Sequence, residues 1–154
     1  ATFSSGNFIV GNLTTPTEMP KSGSATYTGT IRGQYAPIYF SQNEKGETIK
    51  NVGNIRNDLG GTVYLTAIFN TSEIGGGFTF TRGDGTNLAT AQLPRTNGKI
   101  NGVHFTGAIV PVGDSGGGLV NGYFHGPKAQ EVGGYVLLES ENKALISGVF
   151  GAKK

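Results

Sequence analysis

Residues 62–81 read TVYLTAIFNTSEIGGGFTFT, and the period of this stretch decides the fold class. Val63, Leu65, Ala67 and Phe69 alternate with Tyr64, Thr66 and Ile68. Successive side chains of a strand point to opposite faces, so this alternation gives one apolar face, and no helical period of 3.6 fits it. A turn between Asn70 and Gly76 then leads into GGFTFTR, which reads as the antiparallel return strand.

The same period of two recurs outward in both directions. SATYTGTIRG precedes the hairpin; LATAQLP, INGVHFTGAIVPV, GLVNGYFHG, GGYVLLES and ALISGVFGA follow it. Short Gly, Asn and Asp turns join most of these segments, as hairpins require. Glycine accounts for 27 of the 154 residues without a strict period of three, which excludes collagen and fits strands that bend tightly. The expectation is an all-β chain, an eight-stranded antiparallel up-and-down β-barrel forming one domain over residues 1–154. Small residues on one face let such a barrel taper and close, which removes its edges. A two-sheet sandwich satisfies the same alternation. Only GPKAQEVGG departs from it, with Pro127 placed to start one short helical turn near residues 127–131.

Composition narrows the function classes. Charged residues are 14% of the chain and the net charge is +2, with no run of Lys and Arg among aromatics, so no nucleic-acid footprint is present. Cysteine is absent, which excludes disulfides, thiolate metal sites and a cysteine nucleophile. No apolar run approaches the ~20 residues of a membrane helix. The first residues lack the basic start and apolar run of a signal peptide, so any leader or lipid anchor is expected outside this stretch.

Three motifs suggest chemistry. Gly113-Asp114-Ser115-Gly116-Gly117 resembles the serine segment of trypsin-like proteases, but a nucleophilic serine needs a histidine base and an orienting carboxylate. No histidine precedes His104, and there is no room for the barrel that would carry it, so Ser115 is expected to be a turn residue and the protein no enzyme. Arg82-Gly83-Asp84 is followed by Gly85, and Asp84-Gly85 is a strong hairpin-turn pair. His104 and His125 are the only histidines; no short-spaced set of ligands suggests a metal, while haem can be held by one histidine, so these two are the haem candidates. The link from Ala36 to Asn57 is longer than compact domains usually allow, and reads either as a recognition loop or as an extra hairpin. Loops on a rigid scaffold carry binding, which makes Tyr39, Phe40, Lys45, Lys50, Arg56, Asp84 and Asp114 the candidate ligand-binding residues.

The closing segment, NGYFHGPKAQEVGGYVLLESENKALISGVFGAKK, resembles the end of the transferrin-binding-protein-B-like family of Gram-negative surface lipoproteins. Gly122-Tyr123-Phe124, Gly126-Pro127-Lys128-Ala129, Glu131-Val132-Gly133-Gly134 and Gly148-Val149-Phe150-Gly151 match in order, with His125 where the family has tyrosine. SGSATYTGT and TVYLTAIFNTSEIGGGFTF resemble the family's earlier barrel strands. The resemblance implies an eight-stranded barrel with non-enzymatic work at the bacterial surface or in secretion. Partners implied are a host protein such as transferrin, haemoglobin or a complement regulator, haem itself, and the outer-membrane translocator Slam. It also implies either a small complete member or the C-terminal barrel of a longer one, acting as a monomer, or a structural export barrel whose ligand-binding domain lies elsewhere.

Overall fold

The computed structural model describes residues 3–5 and 8–154. Twelve strands follow in chain order: β1 (Phe3–Ser5), β2 (Phe8–Val10), β3 (Ser24–Gln42), β4 (Thr48–Val52), β5 (Arg56–Ile68), β6 (Glu73–Thr81), β7 (Asn87–Leu93), β8 (Lys99–Asn101), β9 (His104–Pro111), β10 (Gly116–His125), β11 (Glu131–Ser140) and β12 (Ala144–Lys153). Eight of them form an antiparallel circuit in the order β3, β5, β6, β7, β9, β10, β11 and β12, and β12 returns to pair with β3. The pairing of β9 with β10 completes the ring, so the sheet is a closed barrel and the sandwich is ruled out.

Alternation fills the barrel as the sequence implies. Tyr27, Ile31, Leu65, Ile74, Phe80, Phe105, Ile109 and Phe124 point inward and are fully or almost fully buried. Phe124 meets Tyr27 and Phe105 edge-on at centroid distances of 5.9 and 5.4 Å, and Phe78 meets Phe150 likewise at 5.9 Å. Rings of this size fit only because glycines interrupt the inner face. A Cβ at Gly29 would stand 1.9 Å from the Gly151 carbonyl oxygen, and one at Gly134 2.1 Å from that of Asn121, so the strands approach too closely there for any side chain.

Three boundaries differ from the sequence expectation. The segment from Ile100 to Val112 is not one strand: β8 and β9 form a small hairpin of their own, and Gly102 (φ 64°) supplies the left-handed residue of its turn. β6 begins at Glu73, because Ser72 (φ 57°) already completes the preceding turn. The helical turn is a 3-10 turn over Pro127–Ala129 only, since Glu131 already pairs with Lys153.

Strand directions sort the connections into two ends. The corner end carries the 3-10 turn and the segment 11–14, which is sewn across it: Thr14 N–H donates to Phe124 O (3.0 Å), Thr14 Oγ1 to Gly126 O (2.8 Å), and Gly126 N–H to Asn12 O (2.7 Å). Lys128 and Ala129 both sit at left-handed φ, 55° and 56°, and the buried Tyr27 hydroxyl holds this corner by donating to Ala129 O at 2.5 Å. Burial raises the Tyr27 pKa, so the hydroxyl keeps its proton.

Candidate functional site at the hairpin end

The opposite end gathers every loop the sequence singled out. β3 stays in the barrel wall as far as Pro37, which pairs with Ala144, and its partnership with β5 ends where Tyr35 meets Arg56. Beyond that point it continues alone with β4, so the long link is an extra hairpin built on the barrel. Asn43 caps the tip: its Oδ1 accepts the N–H groups of Lys45 and Glu47, both at 2.9 Å, and Gly46 (φ 79°) turns the chain.

Beyond its base this hairpin exposes side chains on both faces. Ile38, Phe40, Lys50 and Val52 share one side, while Tyr39, Ser41, Ile49 and Asn51 share the other. Ile38 is buried at the base, but Phe40, Ile49, Tyr39 and Val52 are 43–55% exposed. Neither long edge of the hairpin continues into another strand among the described residues. Lys50 reaches Glu139 on β11 at 3.8 Å, an exposed ion pair of little energetic weight. Lys45 lies in the tip and Arg56 at the base, where Tyr35, Pro37, Arg56, Asp58, Arg82 and Asp84 enclose a recess of about 200 Å³.

The other candidate acids are committed to their own turns. Asp84 Oδ1 accepts from Thr86 N–H (2.9 Å) and Thr86 Oγ1 (2.7 Å), and the Thr86 hydroxyl is the main reason its pKa is lowered. Arg82 donates to Asn87 O at 2.7 Å, so both charged members of Arg-Gly-Asp are held by the turn itself. Asp114 joins two turns: it accepts from Ser115 N–H (2.9 Å), Ser140 Oγ (2.5 Å), Asn142 N–H (3.0 Å) and Asn142 Nδ2 (2.5 Å). Desolvation alone would raise its pKa, but these bonds override that and hold the carboxyl well below the usual range.

Both histidines lie at the corner end, a full strand length from Ser115. His104 opens β9 on the outer wall, hydrogen-bonded to Asn121 and with its ring tilted against that of Tyr123 at a centroid distance of 4.7 Å. His125 is buried and donates from Nδ1 to Gly11 O at 2.8 Å; burial pushes its pKa down. Eight residues of strand at about 3.3 Å each separate the imidazole of His104 from the Ser115 turn, so no histidine can serve this serine as base. Among the described residues no three acidic or histidine side chains gather as a metal-binding set, and no helix is long and apolar enough to cross a membrane.

The profile of the family described as "C-lobe and N-lobe beta barrels of Tf-binding protein B" matches residues 19–154. The chain belongs to this family. No curated protein matches the sequence. Solved structures similar to this family member include transferrin-binding protein B of Neisseria meningitidis serogroup B, at 21% identity and a TM-score of 0.56 over 93% of this chain and 33% of that one. HpuA of Kingella denitrificans, solved in complex with human haemoglobin, is 20% identical with a TM-score of 0.55 over 93% and 48%. A structure described as a surface lipoprotein is 20% identical with a TM-score of 0.55 over 88% and 63%. The chain thus spans less than two thirds of each of these relatives, which at such identities support the barrel fold alone. Sequence reasoning placed Tyr39, Phe40 and Lys50 on this surface; it missed Ile49, Val52 and Ile55, whose exposure depends on the hairpin leaving the wall.

Proposed function

We propose that the hairpin end captures a host protein at the surface of a Gram-negative bacterium, without catalysis, in the service of iron or haem acquisition. The observation that carries this reading is the β3–β4 hairpin, which exposes Tyr39, Phe40, Ile49 and Val52 in water. Large apolar and aromatic side chains on a projecting, scaffold-anchored element are the residues that become anchors of interfaces. The related HpuA, solved with human haemoglobin, supplies the partner class; transferrin and complement regulators complete the panel. Binding to immobilised human haemoglobin, transferrin and a complement regulator tests it. One of them binds, and Phe40→Ala or Tyr39→Ala weakens that binding about tenfold or more with the fold intact. No binding to any of the three at ~100 μM overturns the reading, as does peptide or ester turnover abolished by Ser115→Ala. A haemin titration with a Soret shift lost in His104→Ala or His125→Ala would replace protein capture with haem carriage.

A second reading has its own support, because the chain spans less than two thirds of its similar structures. In it the barrel is the export module presented to Slam, and capture resides elsewhere. A translocation assay on this barrel, with and without Slam, separates the two.

A further inference from the structure

The β3–β4 hairpin is a ribbon of two strands, and the phase of its ladder decides which backbone groups stay open. Asn43 N–H donates to Glu47 O (3.0 Å) at the tip, and Gly53 N–H to Pro37 O (2.7 Å) at the base. Both pairs continue the register that sets Tyr39 opposite Asn51 and Ser41 opposite Ile49. Bonded and non-bonded pairs alternate along an antiparallel ladder, so the backbones of Tyr39, Ser41, Ile49 and Asn51 point at each other. Those of Ile38, Phe40 and Gln42 on β3, and of Thr48, Lys50 and Val52 on β4, point away. A separate bond agrees with this phase: Ile38 N–H donates outside the ribbon, to Lys143 O at 2.9 Å.

The two edges of the ribbon differ. The turn between β11 and β12 closes the edge of β3 at its base through Lys143. β4 pairs with β3 alone, and among the described residues no backbone bond reaches Thr48, Lys50 or Val52 from the other side. All three residues are exposed. Their edge presents N–H and C=O groups at every second residue, a repeat of about 6.6 Å. A two-stranded ribbon is marginal in water, and a third strand is what stabilises it. Large side chains already stand on both faces, Phe40 and Val52 on one, Tyr39 and Ile49 on the other, where an added strand would pack beside them. The apolar outer wall of β10–β12, with Leu119, Tyr135, Leu137 and Leu145, does not define what would cover it. A row of alternating donors and acceptors does.

We infer, on the reading that the hairpin end captures a host protein, that this protein contributes the third strand. An extended segment of it adds along β4 and bonds through its main chain to Thr48, Lys50 and Val52. A second copy of the chain is a poor donor. The one antiparallel β4–β4 register that engages all three residues sets Lys50 opposite its own copy, a like-charge pair. An acidic residue belongs at that place instead, since Lys50 is otherwise held only by the exposed Glu139 at 3.8 Å. The incoming strand thus carries an acid opposite Lys50, with apolar or β-branched side chains two residues away on each side, opposite Thr48 and Val52.

The probe is an acetylated peptide of alternating valine and threonine with one central glutamate, titrated to ~2 mM against the 154-residue chain and followed by amide NMR. The expected result is binding near ~1 mM, with hydrogen exchange slowed at Thr48, Lys50 and Val52 but not at Phe40 and Gln42 on the opposite edge. Proline removes one N–H and is tolerated where that N–H faces out of an edge strand. Lys50→Pro should therefore keep the ladder and abolish binding, whereas Lys50→Ala weakens it only about threefold. Methylating the glutamate nitrogen of the peptide should abolish binding too, and lysine in place of the glutamate should weaken it about fivefold. Unslowed exchange at the three amides, or binding that survives in Lys50→Pro, overturns the proposal. Among the host proteins, capture that Phe40→Ala weakens and Lys50→Pro leaves untouched overturns the added strand while capture stands. Peptide binding with no host protein captured upholds the strand-accepting edge and overturns the capture reading.

Discussion

The two ends of this barrel receive the same eight strands and spend them differently. At the corner end, turns and the segment 11–14 are tied down by the Tyr27 hydroxyl, Thr14, His125 and backbone bonds. At the hairpin end, β3 and β4 run past the wall and leave aromatic and branched side chains in water. Hydrogen-bonded closure stabilises the fold, whereas exposed apolar surface contributes nothing to it until a partner arrives. The contrast predicts that substitutions in the closed wall and corner move stability, while substitutions on the hairpin move binding.

The largest effect is expected in the wall itself. Gly29→Ala forces a methyl group onto the Gly151 backbone and should cost about 3 kcal/mol or more, read as a lowered denaturation midpoint. Next comes Tyr27→Phe, which keeps the ring but strips the bond to Ala129 O beside two left-handed residues. Its expected cost is about 1–3 kcal/mol. An unchanged melting temperature in either variant would break the contrast.

The two ends should also differ in their response to acid. His125 has a lowered pKa in the folded state, so the unfolded chain binds the extra proton first. Stability is full above the ordinary imidazole pKa near 6.5 and falls as pH drops from 7 toward 5. His125→Gln should flatten that slope. Asp114 is also depressed, but as a carboxylate: its contribution is complete above the usual carboxyl range and is lost only below about pH 4. Asp114→Asn should shrink the acid-limb loss and leave the part carried by Asp84, without changing the slope set by His125. Thermal melts from pH 7 to 2 on the three proteins check the order. The smallest effect is expected for Tyr39→Ser and Phe40→Ser, within about 0.5 kcal/mol of the parent, because these side chains are exposed on both sides of a free hairpin.

Much of the barrel was legible because alternation survives nearly everywhere, and inward Tyr27, Ile31 and Phe105 announce themselves by period alone. The break at Gly102 was not, since VHFTGAIV alternates without interruption and only the left-handed glycine divides β8 from β9. Closure was expected from the small residues and the family resemblance, but alternation alone fits a sandwich equally well until the pairings of β9 with β10 and of β12 with β3 are seen. At the candidate site, loop candidates could be named residue by residue, but their convergence on one end depends on strand direction. Asp114 illustrates the limit. Its neighbours in sequence suggest a wet turn, whereas its bonds to Ser140 and Asn142 come from another hairpin. The apolar wall was hidden in YVLL, where both faces of the strand are apolar and the alternation carries no contrast.

The seam between β12 and β3 has a consequence for how the chain comes into being. Lys153 pairs with Thr28 and Ala144 with Pro37, so the contacts that shut the ring join its first strand to its last. Contacts so distant along the chain form late, after the loop-closure entropy has been met. Until residue 153 is available the sheet is an open ribbon with two bare edges, each a template for pairing with another strand. Completion of the ring satisfies both edges in one step and leaves the wall with none to offer.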